Sequence, residues 1–288
     1  MEVQRKSNIS YEEFMEEHHN PGIPLIFTDA TKVWKASGLL TPKWFRENYP
    51  QKESDVIDKL TGKHYTMTEV MDLIENSSFE KPAPYPLTFN ITKEIPEMMN
   101  LLSPLNLNYA KPNWLEDKLF QRGNWGGVTE LFVGGPGGRF PYVHKDYYHL
   151  SAWINQLYGD KQFTVFPRGQ EEFLYVTEKN QWRSPVNIFE PDYNLHPKFK
   201  HATPITFTVT AGETLYIPFG VWHSAYSLTP TISVAFDQLN AKNFPLFMSD
   251  VWTFKNEETS KPKAIAAYGY AMASGAVCKV KDKLASAK

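Results

Sequence analysis

"PYVHKDYYHLSAWINQLYGDKQFTVF", residues 141–166, holds two runs of aromatic, β-branched and aliphatic residues, LSAWINQLY and QFTVF, separated by Gly159-Asp160. Short apolar runs bounded by turn residues read as strands. Yet His144, Asp146 and Lys161 lie inside this stretch. Either the strands carry a solvent-facing ionic edge, or they carry a metal site with an anion clamp beside it.

Outward from there the same texture recurs. TELFV, EFLYV, ITFTV, TLYIPF and TISVAF are further short runs, punctuated by glycines, prolines and polar clusters. Many short strands with frequent turn signals predict a sandwich or barrel rather than a parallel βαβ sheet. The first third reads differently. Ser10 and Glu13 form a capping-box spacing that opens a short helix before Asn20-Pro21-Gly22, and IPLIFTDA reads as a buried strand. Thr41-Pro42 supplies an N-cap and a proline at the first helical position, with Trp44, Phe45 and Tyr49 on the buried side. Thr66 and Glu69 repeat the capping-box spacing. From residue 80 to 113 recurring prolines predict irregular chain.

After Phe247 the pattern is helical again. A helix from Lys263 to Cys278 is expected to pack through the stripe Ile265, Tyr268 and Met272. The resulting division is an N-terminal helical and strand segment (1–119), a β core (120–244) and a C-terminal helical segment (245–288), in one compact catalytic unit.

Composition narrows the function. The chain has 288 residues, 42% hydrophobic and 15% aromatic, enough for one or two sizeable cores. Lys plus Arg (30) nearly balances Asp plus Glu (32), for a net charge of −2. That balance speaks against a general nucleic-acid binder or a polybasic membrane-surface protein. A single cysteine, Cys278, excludes an intramolecular disulfide and a thiolate zinc cluster. The N-terminus has no apolar run of signal-peptide length, and no run approaches a membrane span. A soluble, cytoplasmic protein is expected.

Within a strand, residues i and i+2 share a face, so His144 and Asp146 would project together. H-x-D alone is weak, because most such pairs are surface polar residues. A third ligand changes the weight. "GETLYIPFGVWHSAYSL", residues 212–228, places His223 on a late strand that can pair back beside the first. Two imidazoles and one carboxylate on one face of a metal leave the other face open, the arrangement of non-haem Fe(II) oxygenases. The remaining histidines read as surface or structural. Lys161 would ordinarily extend to solvent; pointing inward, it needs an anion, because an unpaired buried ammonium is costly. GGPGG (134–138) reads as a turn, since no helix or Lys-Ser/Thr follows to make a phosphate loop. Trp34, Trp44, Trp114, Trp125 and Trp153 read as core and rim packing rather than a substrate cage.

These residues resemble the Jumonji-C, or cupin-like, Fe(II)- and 2-oxoglutarate-dependent oxygenases. GIPLIFTDATKVWKA with its Thr-Pro-Lys-Trp helix, NWLEDKLF, LFVGGPGG, HKD, SAW, YGDK and GETLYIPFGVWHSAYSL carry the resemblance over most of the chain. The fold implied is mainly β with flanking α: a double-stranded β-helix (jelly-roll) core with N- and C-terminal helices. The resemblance implies that His144, Asp146 and His223 hold Fe(II). It also implies that Lys161 binds the distal carboxylate of 2-oxoglutarate. Superfamily members that use an arginine there place it shortly after the distal histidine, whereas here no Arg or Lys follows His223 until Lys242.

The implied reaction converts 2-oxoglutarate and O₂ to succinate and CO₂ while hydroxylating a C–H bond, with a peptide or protein side chain as candidate substrate. Where relatives often carry Thr, this chain has Pro141, and the Tyr142 hydroxyl is the expected substitute in co-substrate binding. Asp237 stands where relatives often have asparagine, either orienting a ligand or outside the site. The alternatives are a metal-dependent cupin enzyme that does not use 2-oxoglutarate, or a non-catalytic cupin-fold binding protein. A homodimer through the C-terminal helix is a further expectation.

Overall fold

The computed structural model describes residues 2–54, 63–103, 108–123, 125, 128–140 and 142–286. Pro141 lies outside the described residues. Among them, the strands in chain order are β1 (Gln4–Lys6), β2 (Leu25–Phe27), β3 (Leu87–Asn90), β4 (Thr129–Gly134), β5 (Ser151–Tyr158), β6 (Lys161–Phe166), β7 (Ile205–Val209), β8 (Thr214–Ile217), β9 (Trp222–Ser227) and β10 (Thr231–Gln238). They form a seven-stranded sheet, β1-β2-β8-β5-β10-β4-β3, and a three-stranded sheet, β7-β6-β9. Only the β1–β2 pairing is parallel. The α-helices are α1 (Tyr11–Phe14), α2 (Pro42–Asn48), α3 (Met67–Glu75), α4 (Ile91–Glu94), α5 (Lys118–Gly123), α6 (Phe244–Glu258) and α7 (Lys261–Ser286).

Strand alternation builds the layers. On β5, Ala152 and Ile154 face the smaller sheet, and on β8 Leu215 and Ile217 do the same. They meet Phe163, Val165, Val209 and Ala225 in one buried cluster. The intervening residues Trp153 and Tyr216 point the other way, into a second core with Phe14, Phe27, Phe45 and Met71. Two facing sheets with helices outside make the double-stranded β-helix expected from the sequence.

The capping signals work as read. Thr41 accepts from the Trp44 N–H, and Thr66 and Glu69 complete a reciprocal capping box. Two readings change. EFLYV is a coil rather than a strand: the Gln170 carbonyl accepts from both Phe173 and Leu174, Tyr175 takes a left-handed φ of +55°, and Leu174 alone is fully buried. The proline-rich 80–113 region is not wholly irregular, because it contributes β3 to the sheet edge beside β4.

The α7 stripe also turns out differently. Ile265 and Met272 are about half exposed (54% and 49%), while the buried face is Ala264, Ala271, Ser274 and Cys278, with Tyr268 packed alongside. A Cβ on Gly275 would lie 2.2 Å from the Phe244 ring. The α6–α7 seam is too close for large side chains, so small residues form it. No helix among the described residues is long and apolar enough to cross a membrane.

Candidate metal centre and co-substrate cavity

His223 lies on β9, and its backbone pairs reciprocally with His144. The His144 N–H donates to the His223 carbonyl (2.9 Å), and the His223 N–H donates to the His144 carbonyl (2.7 Å). The two rings are thereby brought to 4.4 Å between centroids. Asp146 comes two residues later, its Oδ1 3.8 Å from His223 Nε2. Ligand atoms of His144, Asp146 and His223 all lie within 4.8 Å of one another, a cluster that could hold a metal ion.

The protonation pattern fits such an ion. His223 Nδ1 is 3.0 Å from the Val221 carbonyl. A carbonyl only accepts, so Nδ1 carries a proton, and Nε2 is the ring nitrogen left facing Asp146. His144 Nδ1 is buried with no hydrogen-bond partner, and burial, with His223 beside it, holds that ring's pKa well below the usual histidine value. Two imidazoles beside a carboxylate are the donor set that Fe(II) accepts.

The same residues border a cavity of about 310 Å³ between the sheets. Lys161 opens β6, four residues before Val165, the register partner of His223. At a strand rise of about 3.3 Å per residue, that separates their backbones by roughly 13 Å. The lysine's position depends on the turn before it. Gly159 has φ +71°, and a Cβ there would lie 1.9 Å from the Pro230 carbonyl oxygen.

Lys161 is 2% exposed and no carboxylate among the described residues pairs with it; Nζ reaches Ser233 Oγ at 3.5 Å, and Ser233 in turn donates to Gln156 Oε1 at 2.6 Å. Burial pulls the lysine pKa down to about 7. Its Nζ lies 5.4 Å from the centre of the Tyr85 ring. Tyr85 lines the cavity, and its hydroxyl is buried with no hydrogen-bond partner among the described residues. An ammonium and a phenol, both buried and both lacking an acceptor of comparable charge, fit a carboxylate.

The sequence pointed to Tyr142 and gave no direct sign of Tyr85. The 142–146 segment is not a continuous strand; His144 alone makes a bridge, so strand parity does not carry to Tyr142. Its ring lies 4.4 Å from the Arg183 guanidinium, and it does not line the cavity. The one trace of Tyr85 in the sequence is the glycine run. Cβ atoms on Gly134 and Gly138 would lie 2.8 and 3.2 Å from its ring. Asp237, on β10, does line the cavity, with Glu130 on β4. Burial, then the neighbouring Asp146 and Glu130 charges, raise its pKa well above the usual carboxylate value. Of Trp34, Trp44, Trp114, Trp125 and Trp153, all but Trp44 are buried, Trp44 is half-buried, and Trp125 also borders the cavity.

Residues 11–237 match the family described as a cupin-like domain, and the chain belongs to it. With the two-histidine, one-aspartate cluster, it is of the Jumonji-C type. The human 2-oxoglutarate and iron-dependent oxygenase JMJD4 is 31% identical over 128 residues, 43% of this chain and 29% of that protein. The Arabidopsis thaliana arginine-specific demethylase JMJ20 is 24% identical over 88% of this chain and 60% of its own length. The Caenorhabditis elegans bifunctional arginine demethylase and lysyl-hydroxylase psr-1 is 24% identical over 83% of this chain and 61% of its length. The aligned stretch thus spans less than two thirds of each relative.

Proposed function

We propose that the protein is an Fe(II)- and 2-oxoglutarate-dependent hydroxylase, with His144, Asp146 and His223 as metal ligands and Lys161 and Tyr85 as the carboxylate anchor. One observation carries this reading: a buried lysine and an orphaned phenol share one cavity with the three-ligand cluster. When bound, the metal and 2-oxoglutarate supply oxidative decarboxylation by O₂, yielding succinate, CO₂ and a hydroxylated substrate carbon. The chain's own residues bind and orient. Lys161 would donate to the distal carboxylate, Ser233, itself bonded to Gln156, contacts the ammonium, and Phe132, Phe140 and Phe163 wall the cavity.

The substrate we infer is a peptide bearing a cationic side chain. Asp237 and Glu130 put two carboxylates on the cavity wall beside the cluster, and the names of two relatives include arginine demethylation and lysine hydroxylation. Anaerobic titration with Fe(II) and 2-oxoglutarate, then succinate release on adding O₂ with lysyl, arginyl and neutral peptides, tests both steps. Absence of 2-oxoglutarate binding would refute the activity, and equal turnover of neutral peptides would refute the substrate class.

A homodimer through α7 is our second proposal, supported by its exposed apolar residues Ile265, Met272, Val280 and Leu284. A monomeric mass at micromolar concentration would exclude a tight dimer.

A further inference from the structure

The three ligands of the cluster are supported unequally. His144 and His223 fix each other through two main-chain hydrogen bonds. Asp146 lies beyond that bridge, next to a strained turn. Tyr148 and His149 take left-handed φ values of +58° and +47° in succession. Side chains other than glycine adopt that region at a cost and stay there only when their surroundings hold them. Within the turn, only the Leu150 N–H to Tyr147 carbonyl bond (3.3 Å) closes it.

Trp182 packs 5.4 and 5.2 Å from the Tyr147 and His149 rings, and Arg183 donates to the Tyr147 hydroxyl at 3.3 Å. The closest and shortest contacts come from α6, about a hundred residues later in the chain. His149 Nδ1 lies 2.6 Å from Asp250 Oδ2, with side chains 16% and 9% exposed. A carboxylate only accepts, so Nδ1 donates. The buried Asn243, at the N-cap of α6, donates to the His149 carbonyl at 2.9 Å and to the Gln238 carbonyl at 3.0 Å. Tyr148 packs on Phe247 and Phe254 of the same helix, at 5.6 and 5.0 Å between ring centres. Tyr147 and Tyr148 both border the cavity.

We propose that Asp250 and Asn243 of α6 are positioning residues for the metal centre: by gripping His149 they hold the strained 148–149 turn, and the turn sets where Asp146 presents its carboxylate. This rests on the metal-site reading of His144, Asp146 and His223. It makes the C-terminal helical segment part of the catalytic apparatus rather than an outer prop.

The test compares Mn(II) affinity with amide hydrogen exchange in the full chain. Asp250→Ala should weaken Mn(II) binding roughly tenfold, within the 10- to 100-fold typical when a partner that orients a metal ligand is lost. It should also speed exchange at residues 147–150. His149→Ala should match it, and the double variant should be no worse than either single, since both remove one interaction. His149→Asn should lose less than His149→Ala, because asparagine tolerates the left-handed backbone.

Val251→Ala, in the α6 core, supplies a matched loss of thermal stability and should keep wild-type Mn(II) affinity. If Asp250→Ala does not fold, Asp250→Leu and the two His149 variants carry the same comparison. Wild-type Mn(II) affinity and exchange in the folded His149→Ala or Asp250 variants would overturn the proposal. A weakening reproduced by Val251→Ala would overturn it too, as a general stability effect. A wild-type protein that binds no Mn(II) would refute the metal site itself, a distinct result.

Discussion

The histidine pair and Asp146 reach the same point in space by opposite means. His144 and His223 are placed by backbone, each N–H answering the other's carbonyl across the β9 edge. Asp146 is placed by side chains, through a strained turn gripped by a helix far along the chain. Backbone pairing tolerates change in the residues it carries; a side-chain grip does not. The metal centre should therefore respond to remote substitutions almost entirely through its aspartate.

The largest expected effect breaks the backbone-held side. His223→Ala removes a ligand while leaving the β6–β9 register intact, so the fold should persist and turnover fall below detection. Retained metal binding and activity in that variant would refute the cluster.

Next comes the other end of the cavity. Lys161→Met keeps the stem volume and removes one charge-assisted hydrogen bond, worth about 1.5–3 kcal/mol. Affinity for 2-oxoglutarate should fall roughly ten- to a hundredfold at 1.4 kcal/mol per decade, with Mn(II) affinity unchanged. Calorimetry under argon with saturating Mn(II) measures both, and equal 2-oxoglutarate affinities would remove the anchor.

The lysine also predicts a pH dependence. Its pKa is near 7 in the free protein, against 10.5 as the ordinary value. Binding an anion requires the ammonium, so above pH 7 the protein must take up a proton on binding. Affinity should fall as pH rises from about 7, by up to tenfold per pH unit. For stability, the unfolded chain holds this proton between about 7 and 10.5 while the folded chain does not, so the contribution improves as pH rises through that window. Below about 7 the burial penalty is constant. Proton uptake at pH 8, measured in buffers of different ionisation enthalpy, should approach one in the wild type and be absent in Lys161→Met.

Smaller effects sharpen the same contrast. Tyr85→Phe leaves the ammonium but deletes the phenol's hydrogen bond to the carboxylate, worth about 1.5 kcal/mol at the lower end for a bond to a charged group, hence roughly a tenfold loss of 2-oxoglutarate affinity. Tyr142→Phe should change it less than twofold, because that ring packs against Arg183 outside the cavity. A larger loss from Tyr142 than from Tyr85 would reverse the assignment of the anchoring hydroxyl.

How far such assignments are legible in the sequence depends on range. Short continuous apolar and β-branched runs mark β5, β6 and β10 because each strand is buried on both faces. An N-cap threonine marks α2 and a capping box marks α3, because their hydrogen bonds close within three residues. The cluster His144, Asp146 and His223, with Lys161, shows as charged or ligating residues set in apolar runs, where burial must be compensated. Each of these signals is local, or depends only on which face of an element is covered.

Other features depend on what lies across the gap, which periodicity does not encode. EFLYV has strand composition, but its apolar side chains fill a cluster with Val143 and Phe166 from a coil. The α7 helix buries Ala264, Ala271, Ser274 and Cys278 rather than its larger residues, because Phe244 approaches too closely. Tyr85 joins Lys161 only when β3 and β4 bring the proline-rich segment against the glycine run. Asp250 meets His149 across 101 residues. Sequence by itself determined most of the core strands, the capped helix starts and the candidates His144, Asp146, His223 and Lys161, since short-range hydrogen bonds and burial patterns set those. Tertiary structure alone decided which hydroxyl faces the lysine and what holds the aspartate, because both are contacts between elements whose meeting is fixed by packing.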